Sequence, residues 1–117
     1  MAEDDEQAEA RGPVGYGVKL DALKWESPVV GVRQKVHRVE GRQLRLVEYS
    51  KGMALHWCER GHIGQILEGQ LAIESARGTE ILKAGDALLI PAGPSHAHRV
   101  TPLTTTVTAL FTEDVEA

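Results

Sequence analysis

With 117 residues and 12.7 kDa, the chain has room for one domain with its own core; 42% apolar and 26% charged residues suit an ordinary soluble protein, and no apolar run approaches the roughly 18 residues of a membrane span. A single cysteine, Cys58, excludes an internal disulfide and fits a reducing compartment. The net charge of −4 hides an asymmetry, because five of the 17 acids lie in residues 1–10 and three in 113–117, leaving thirteen basic against nine acidic residues between them; only five aromatic residues argue against a nucleic-acid stacking platform.

In chain order, residues 1–12 read as an acidic, flexible arm that cannot fold alone. The arm lacks the positive start and apolar centre of a secretion signal, so the expectation is a cytoplasmic protein without a membrane or nucleic-acid partner. Residues 13–112 form the domain, and 113–117 an acidic tail. Within the domain, Val29–Val36 reads as a strand, and Glu40-Gly41-Arg42 as a glycine turn leading into a second strand over Gln43–Tyr49. Further strands are predicted over Ala54–Cys58, His62–Leu67, Gln70–Glu74, Glu80–Leu82, Ala87–Ile90, His96–Val100 and Thr104–Phe111. Many short strands with glycine turns and no long stretch of helical spacing imply an all-β sandwich or closed barrel.

Arg33, Lys35, Arg38, Arg42 and Arg45 supply much of the basic excess; they are either a solvated strand surface or an anion-binding wall. Arg33, Lys35 and Arg45 are candidates to anchor a carboxylate if one of them projects inward. The metal-type ligands are placed unevenly. His56 and Cys58 are two apart and would share a strand face, and His62 follows a Glu59-Arg60-Gly61 turn that can bring it back beside them. His96 and His98 form a second such pair. Nitrogen and sulfur donors of this kind suit zinc, iron, nickel or copper. Trp57 alternates with them and should face away from the interior.

Two stretches resemble the paired motifs of the cupin superfamily. The first motif is a His-x-His pair, a short spacer, a glutamate, six residues and a glycine; here it is His56-x-Cys58, three residues, His62, six residues and Gly69. The second is a glycine, five residues, Pro-x-Gly, two residues, histidine, three residues and asparagine; here it is Gly85, five residues, Pro91-x-Gly93, two residues, His96, three residues and Val100. Cys58, His62 and Val100 stand where histidine, glutamate and asparagine are common. The string His56-Trp57-Cys58 also resembles a subgroup of small cupins with an Asp-His-Cys-Trp-type signature, although Leu55 replaces the aspartate and the Trp–Cys order is reversed.

The resemblance implies a single-domain cupin-type β-barrel or jelly roll holding one divalent transition metal ion. It places His56, His62 and His96 at the metal-binding positions, with Cys58 or His98 as a fourth ligand or a pocket-lining group. Small cupins also pair as homodimers, with Val29–Val36 and the tryptophans as the contact elements here. Function stays open between two readings. One is a metal-dependent enzyme, dioxygenase-like or isomerase-like, acting on a small organic acid; the other is a non-catalytic metal or small-ligand binding or sensor module.

Overall fold

The structure is a computed structural model and describes residues 15–115. The acidic arm expected over residues 1–12 lies outside the described residues. Nine strands follow in order: β1 (Glu26–Val29), β2 (Val32–Val39), β3 (Arg42–Ser50), β4 (His62–Glu68), β5 (Gln70–Ser75), β6 (Gly78–Lys83), β7 (Ala87–Ile90), β8 (His98–Pro102) and β9 (Thr106–Asp114). Among the described residues the helical content is two short 3-10 turns, Leu20–Ala22 and Pro94–His96, and no helix is long and apolar enough to cross a membrane.

All strand pairs are antiparallel and fall into two sheets, β1-β2-β3-β9-β4-β7 and β6-β5-β8. The fold is all-β, as the turn spacing predicts, and is the jelly roll that the cupin resemblance implies. Its core lies between the sheets: Val47, Ile66, Leu71, Ile73, Val107, Ala109 and Phe111 are buried together. These residues alternate along β3, β4, β5 and β9, the period-2 pattern of strands with one face inward.

The strand boundaries differ from the expected ones where local chemistry hid a turn. The expected strand over Val29–Val36 is two strands, because the chain reverses at Val30-Gly31, with Val29 paired to Val32 and Gly31 at a φ of 80°. Valine spacing cannot show that break. The expected strand over Ala54–Cys58 belongs to neither sheet; only Cys58 pairs, in an isolated bridge to His98. The strand expected from His96 begins at His98, because Pro94, Ser95 and His96 form a 3-10 turn after Gly93. At the carboxyl end β9 runs through Glu113 to Asp114, so the first residues of the expected tail are strand.

Cross-strand partners in an antiparallel pair share a face. The register therefore sets Arg38, Gln43 and Glu113 in one inward row across β2, β3 and β9. On β4, Gly64 pairs with Phe111 and Ile66 with Ala109, so His62 falls on the same face beside Glu113. Gly64 permits this packing: a Cβ there would run into the Leu110 carbonyl oxygen and stand 2.6 Å from the Phe111 ring. The sheet's inward face is thus apolar at one end and polar at the other.

Candidate metal centre

Cys58, His62 and His98 come together at the polar end, their donor atoms all within 4.8 Å of one another. Each arrives by a different route. His62 opens β4 after Gly61, where a Cβ would stand 2.9 Å from both the Ala92 amide nitrogen and the Ile90 carbonyl oxygen. Gly61 thus lets the 59–61 turn lie against the 90–93 segment, which the Gly93 N–H donating to the Glu59 carbonyl at 2.9 Å also fixes. Cys58 and His98 are joined by two backbone hydrogen bonds, 2.8 and 2.9 Å, that hold an otherwise irregular segment against the start of β8. The Cys58 sulfur lies 4.0 Å from His62 Nε2 and accepts the Arg60 backbone N–H at 3.4 Å.

Both imidazoles are held from behind. His62 Nδ1 lies 2.5 Å from Glu113 Oε2, and His98 Nδ1 lies 3.0 Å from the His96 carbonyl oxygen. Acceptors on Nδ1 select the tautomer with a proton there and leave the Nε2 lone pair for a ligand bond. Burial, opposed by the hydrogen bond to His96 and reinforced by the charges of His62 and His56, lowers the pKa of His98 and favours its neutral, ligating form. His62 and His98 stand edge to face, with ring centroids 5.0 Å apart.

Glu113 organises this end of the sheet face. Its carboxylate accepts Arg45 Nε at 2.9 Å and Arg45 Nη2 at 2.8 Å, and Gln43 Nε2 at 2.7 Å, besides meeting His62. Burial alone would raise its pKa; the bonds from His62, Arg45 and Gln43 outweigh that and hold it well below the usual carboxylate range. Arg45 also donates to Gln34, and Gln34 to Glu26, so hydrogen bonds run from β1 to the centre. Glu113 is the residue that sequence reasoning missed, through its assignment to the acidic tail. The signal was present: Val107, Ala109, Phe111 and Glu113 alternate, and the alternation carries Glu113 inward.

Of the expected set His56, His62 and His96, the structure brings only His62 into the cluster. His56 is exposed on the irregular segment, and His96 is half-buried in its 3-10 turn, serving His98 through its carbonyl. The other two places in the cluster belong to Cys58 and His98, each two residues further on. The candidate anion anchors have other partners. Arg33 forms an exposed two-point pair with Glu48 and lies over Trp25, 4.1 Å from the ring centroid. Lys35 is buried and donates to the Leu20 carbonyl at 2.9 Å, while Arg45 projects inward but holds Glu113. Trp57 faces solvent, as its alternation with Cys58 predicts, with Arg99 across its ring.

The cluster fits a metal ion. A tetrahedral ion with bonds of about 2.0–2.3 Å sets its donors about 3.5 Å apart, so small side-chain rotations would bring the three onto one ion. Two outward-anchored imidazoles and a thiol receiving a backbone N–H are the donor chemistry of a zinc or iron site. A cavity of about 750 Å³ opens over His62 and Glu113, and a smaller one of about 80 Å³ reaches His98 and His96.

No protein-family profile matches the sequence, and no curated protein does. Solved structures do. A sugar phosphate isomerase from the cupin superfamily of Silicibacter pomeroyi superposes with a TM-score of 0.69 at 18% identity, over 86% of this chain and 76% of its own. An RmlC-like cupin from Shewanella frigidimarina gives 0.69 at 14% identity over 88% and 93%. KdgF from a Halomonas species gives 0.65 at 18% over 88% and 96%. The chain has the cupin fold.

Proposed function

We propose that this protein binds one divalent transition metal ion through Cys58, His62 and His98, and that it acts on, or senses, a small organic acid in the cleft that reaches His62. The observation that carries the reading is the arrangement of three buried or half-buried donors with both histidine Nδ1 atoms already committed behind them. Three protein ligands leave a coordination position open, the requirement for chemistry at a metal. A bound ion would supply Lewis acidity there. Arg45 and Gln43 keep Glu113 ionised, Glu113 orients His62, and the His96 carbonyl orients His98. The thiol favours zinc or iron over magnesium or calcium. Similarity to a sugar phosphate isomerase and to a polyketide cyclase from Streptomyces resistomycificus supports an enzyme of the isomerase or cyclase kind.

The second reading, a closed structural or sensory site, is favoured by the position of His56. It lies two residues before Cys58 on the same irregular segment, and a closed site would recruit it as the fourth ligand. X-ray absorption on metal-loaded protein separates the two. Two nitrogens, one sulfur and a solvent oxygen support the catalytic reading, and three nitrogens with one sulfur support the closed site. Absence of bound metal after purification without an affinity tag and reconstitution with zinc or ferrous iron would overturn both.

A homodimer is part of the proposal. Strand β1 is exposed at a sheet edge, and Val29, Val30 and Trp25 stand in solvent around it, an arrangement that invites pairing with a second chain. Sedimentation at micromolar concentrations should give twice the 12.7 kDa chain mass.

A further inference from the structure

We infer that the cleft over His62 is a recognition site for a small anion bearing hydroxyl groups, with Arg38 as its principal anchor and Arg42 and Arg60 beside it. The inference deepens the reading of the metal site, and its test lets the two fail separately. The cleft, about 750 Å³, has the size of a small-molecule site. Its lining includes Arg38, Arg42 and Arg60 around His62 and Glu113. Of the other described arginines, Arg33 holds Glu48, Arg45 holds Glu113 and Arg99 holds Glu74, while Arg77 stands in the exposed turn between β5 and β6, away from the cleft. Among the described residues Arg38, Arg42 and Arg60 have no carboxylate partner.

Arg38 is also pre-oriented. Glu113 takes the Gln43 side-chain N–H at 2.7 Å, which fixes the amide so that its oxygen accepts Arg38 Nε at 3.0 Å. That bond uses one guanidinium donor and leaves both terminal amino groups of Arg38 for a ligand, the two-point geometry that suits a carboxylate or phosphate. The buried carboxylate that holds His62 therefore also sets Arg38, through one intervening amide. Glu113 itself is neutralised by Arg45, so it does not repel an incoming anion.

Glu59, Thr112 and Asp114 also line the cleft. Two carboxylates there disfavour a ligand that is charged along its whole length. They accept hydrogen bonds from hydroxyl groups instead, which gives the ligand one anionic end and one hydroxylated end.

Isothermal titration calorimetry of the full chain at low ionic strength tests this with three probes: gluconate, inorganic phosphate and glucose. Gluconate or phosphate should bind at millimolar concentration and glucose should not; the anion that binds tells a carboxylate ligand from a phosphorylated one. Arg38→Gln should weaken that binding about tenfold, the loss of one charged two-point contact, with Arg60→Gln weakening it less and Arg33→Gln leaving it unchanged. Metal content, measured alongside, should stay the same in all three variants. Failure of both anions to bind, or equal binding by wild type and Arg38→Gln, overturns the inference whatever the metal result. Anion binding by a wild-type protein that takes up no metal on reconstitution would instead support the anion site and overturn the metal reading alone.

Discussion

The two ends of one sheet face are built from the same backbone and do opposite work. Towards one end of β3 and β9, Val47, Val107 and Ala109 meet Ile66 and Leu71 in a core sealed from water. Towards the other end of the same strands, Gln43, Arg45 and Glu113 meet His62. Pleat, register and hydrogen bonding do not change along the way. Phe111 marks the boundary, its ring next to both Arg45 and His62. At the apolar end stability comes from area removed from water and tolerates imprecise orientation. The polar end must match each donor to an acceptor, because a buried charge left alone costs more than the pair contributes. A jelly roll can thus carry a buried polar cluster if one end of its face supplies all the partners that cluster needs.

The largest expected effect is at Glu113. Glu113→Ala strands the buried Arg45 guanidinium and should destabilise the protein by about 3–5 kcal/mol, much of what a small domain has. Chemical denaturation would measure it, and a loss under 1 kcal/mol would show that the polar end is not a coupled unit. The milder Glu113→Gln keeps the shape and should cost about 10–100-fold in metal affinity, since the outward anchor of His62 is weakened.

Next comes the apolar end. Ile66→Ala should cost about 2–5 kcal/mol by opening a cavity, while metal content per folded molecule stays unchanged. If Ile66→Ala strips metal as readily as Glu113→Gln, the two ends do not act independently. Cys58→Ser sharpens the contrast from the other side: metal uptake by elemental analysis should collapse, whereas the denaturation midpoint of the metal-free protein should barely move, because Cys58 is half-buried and its backbone pairing with His98 remains. The smallest effect belongs to Arg33→Gln, which breaks an exposed ion pair with Glu48 and should leave Tm and metal content unchanged.

Much of this was legible in the chain. The glycine turns and short strands pointed to an all-β sandwich or barrel, the paired motifs to a cupin jelly roll, and the turn after Cys58 put His62 beside it. The rest of the cluster was harder to read. Whether His96 or His98 faces the cluster depends on whether the strand begins before or after Pro94-Ser95; here a 3-10 turn takes Pro94–His96, and the strand begins at His98, which pairs with Cys58. The acidic ending concealed Glu113, since only the pairing of β9 with β3 brings Arg45 and Gln43 to meet it. In the same way the basic residues looked equivalent until the sheet separated Arg33 and Lys35 on the outer face from Arg38 and Arg45 on the inner one.

By itself the sequence determined the class of fold and the kinds of atoms available for chemistry, because turn residues, strand periodicity and donor types are local properties. Tertiary structure decided which donors share a point in space and which charges cancel. A two-residue shift along a strand leaves a side chain on the same face but moves it about 7 Å, and only contacts between distant segments fix which of two such residues arrives at the centre. That is why His62 could be read from the chain, while His98 in place of His96, and Glu113 as the carboxylate behind them, required the fold.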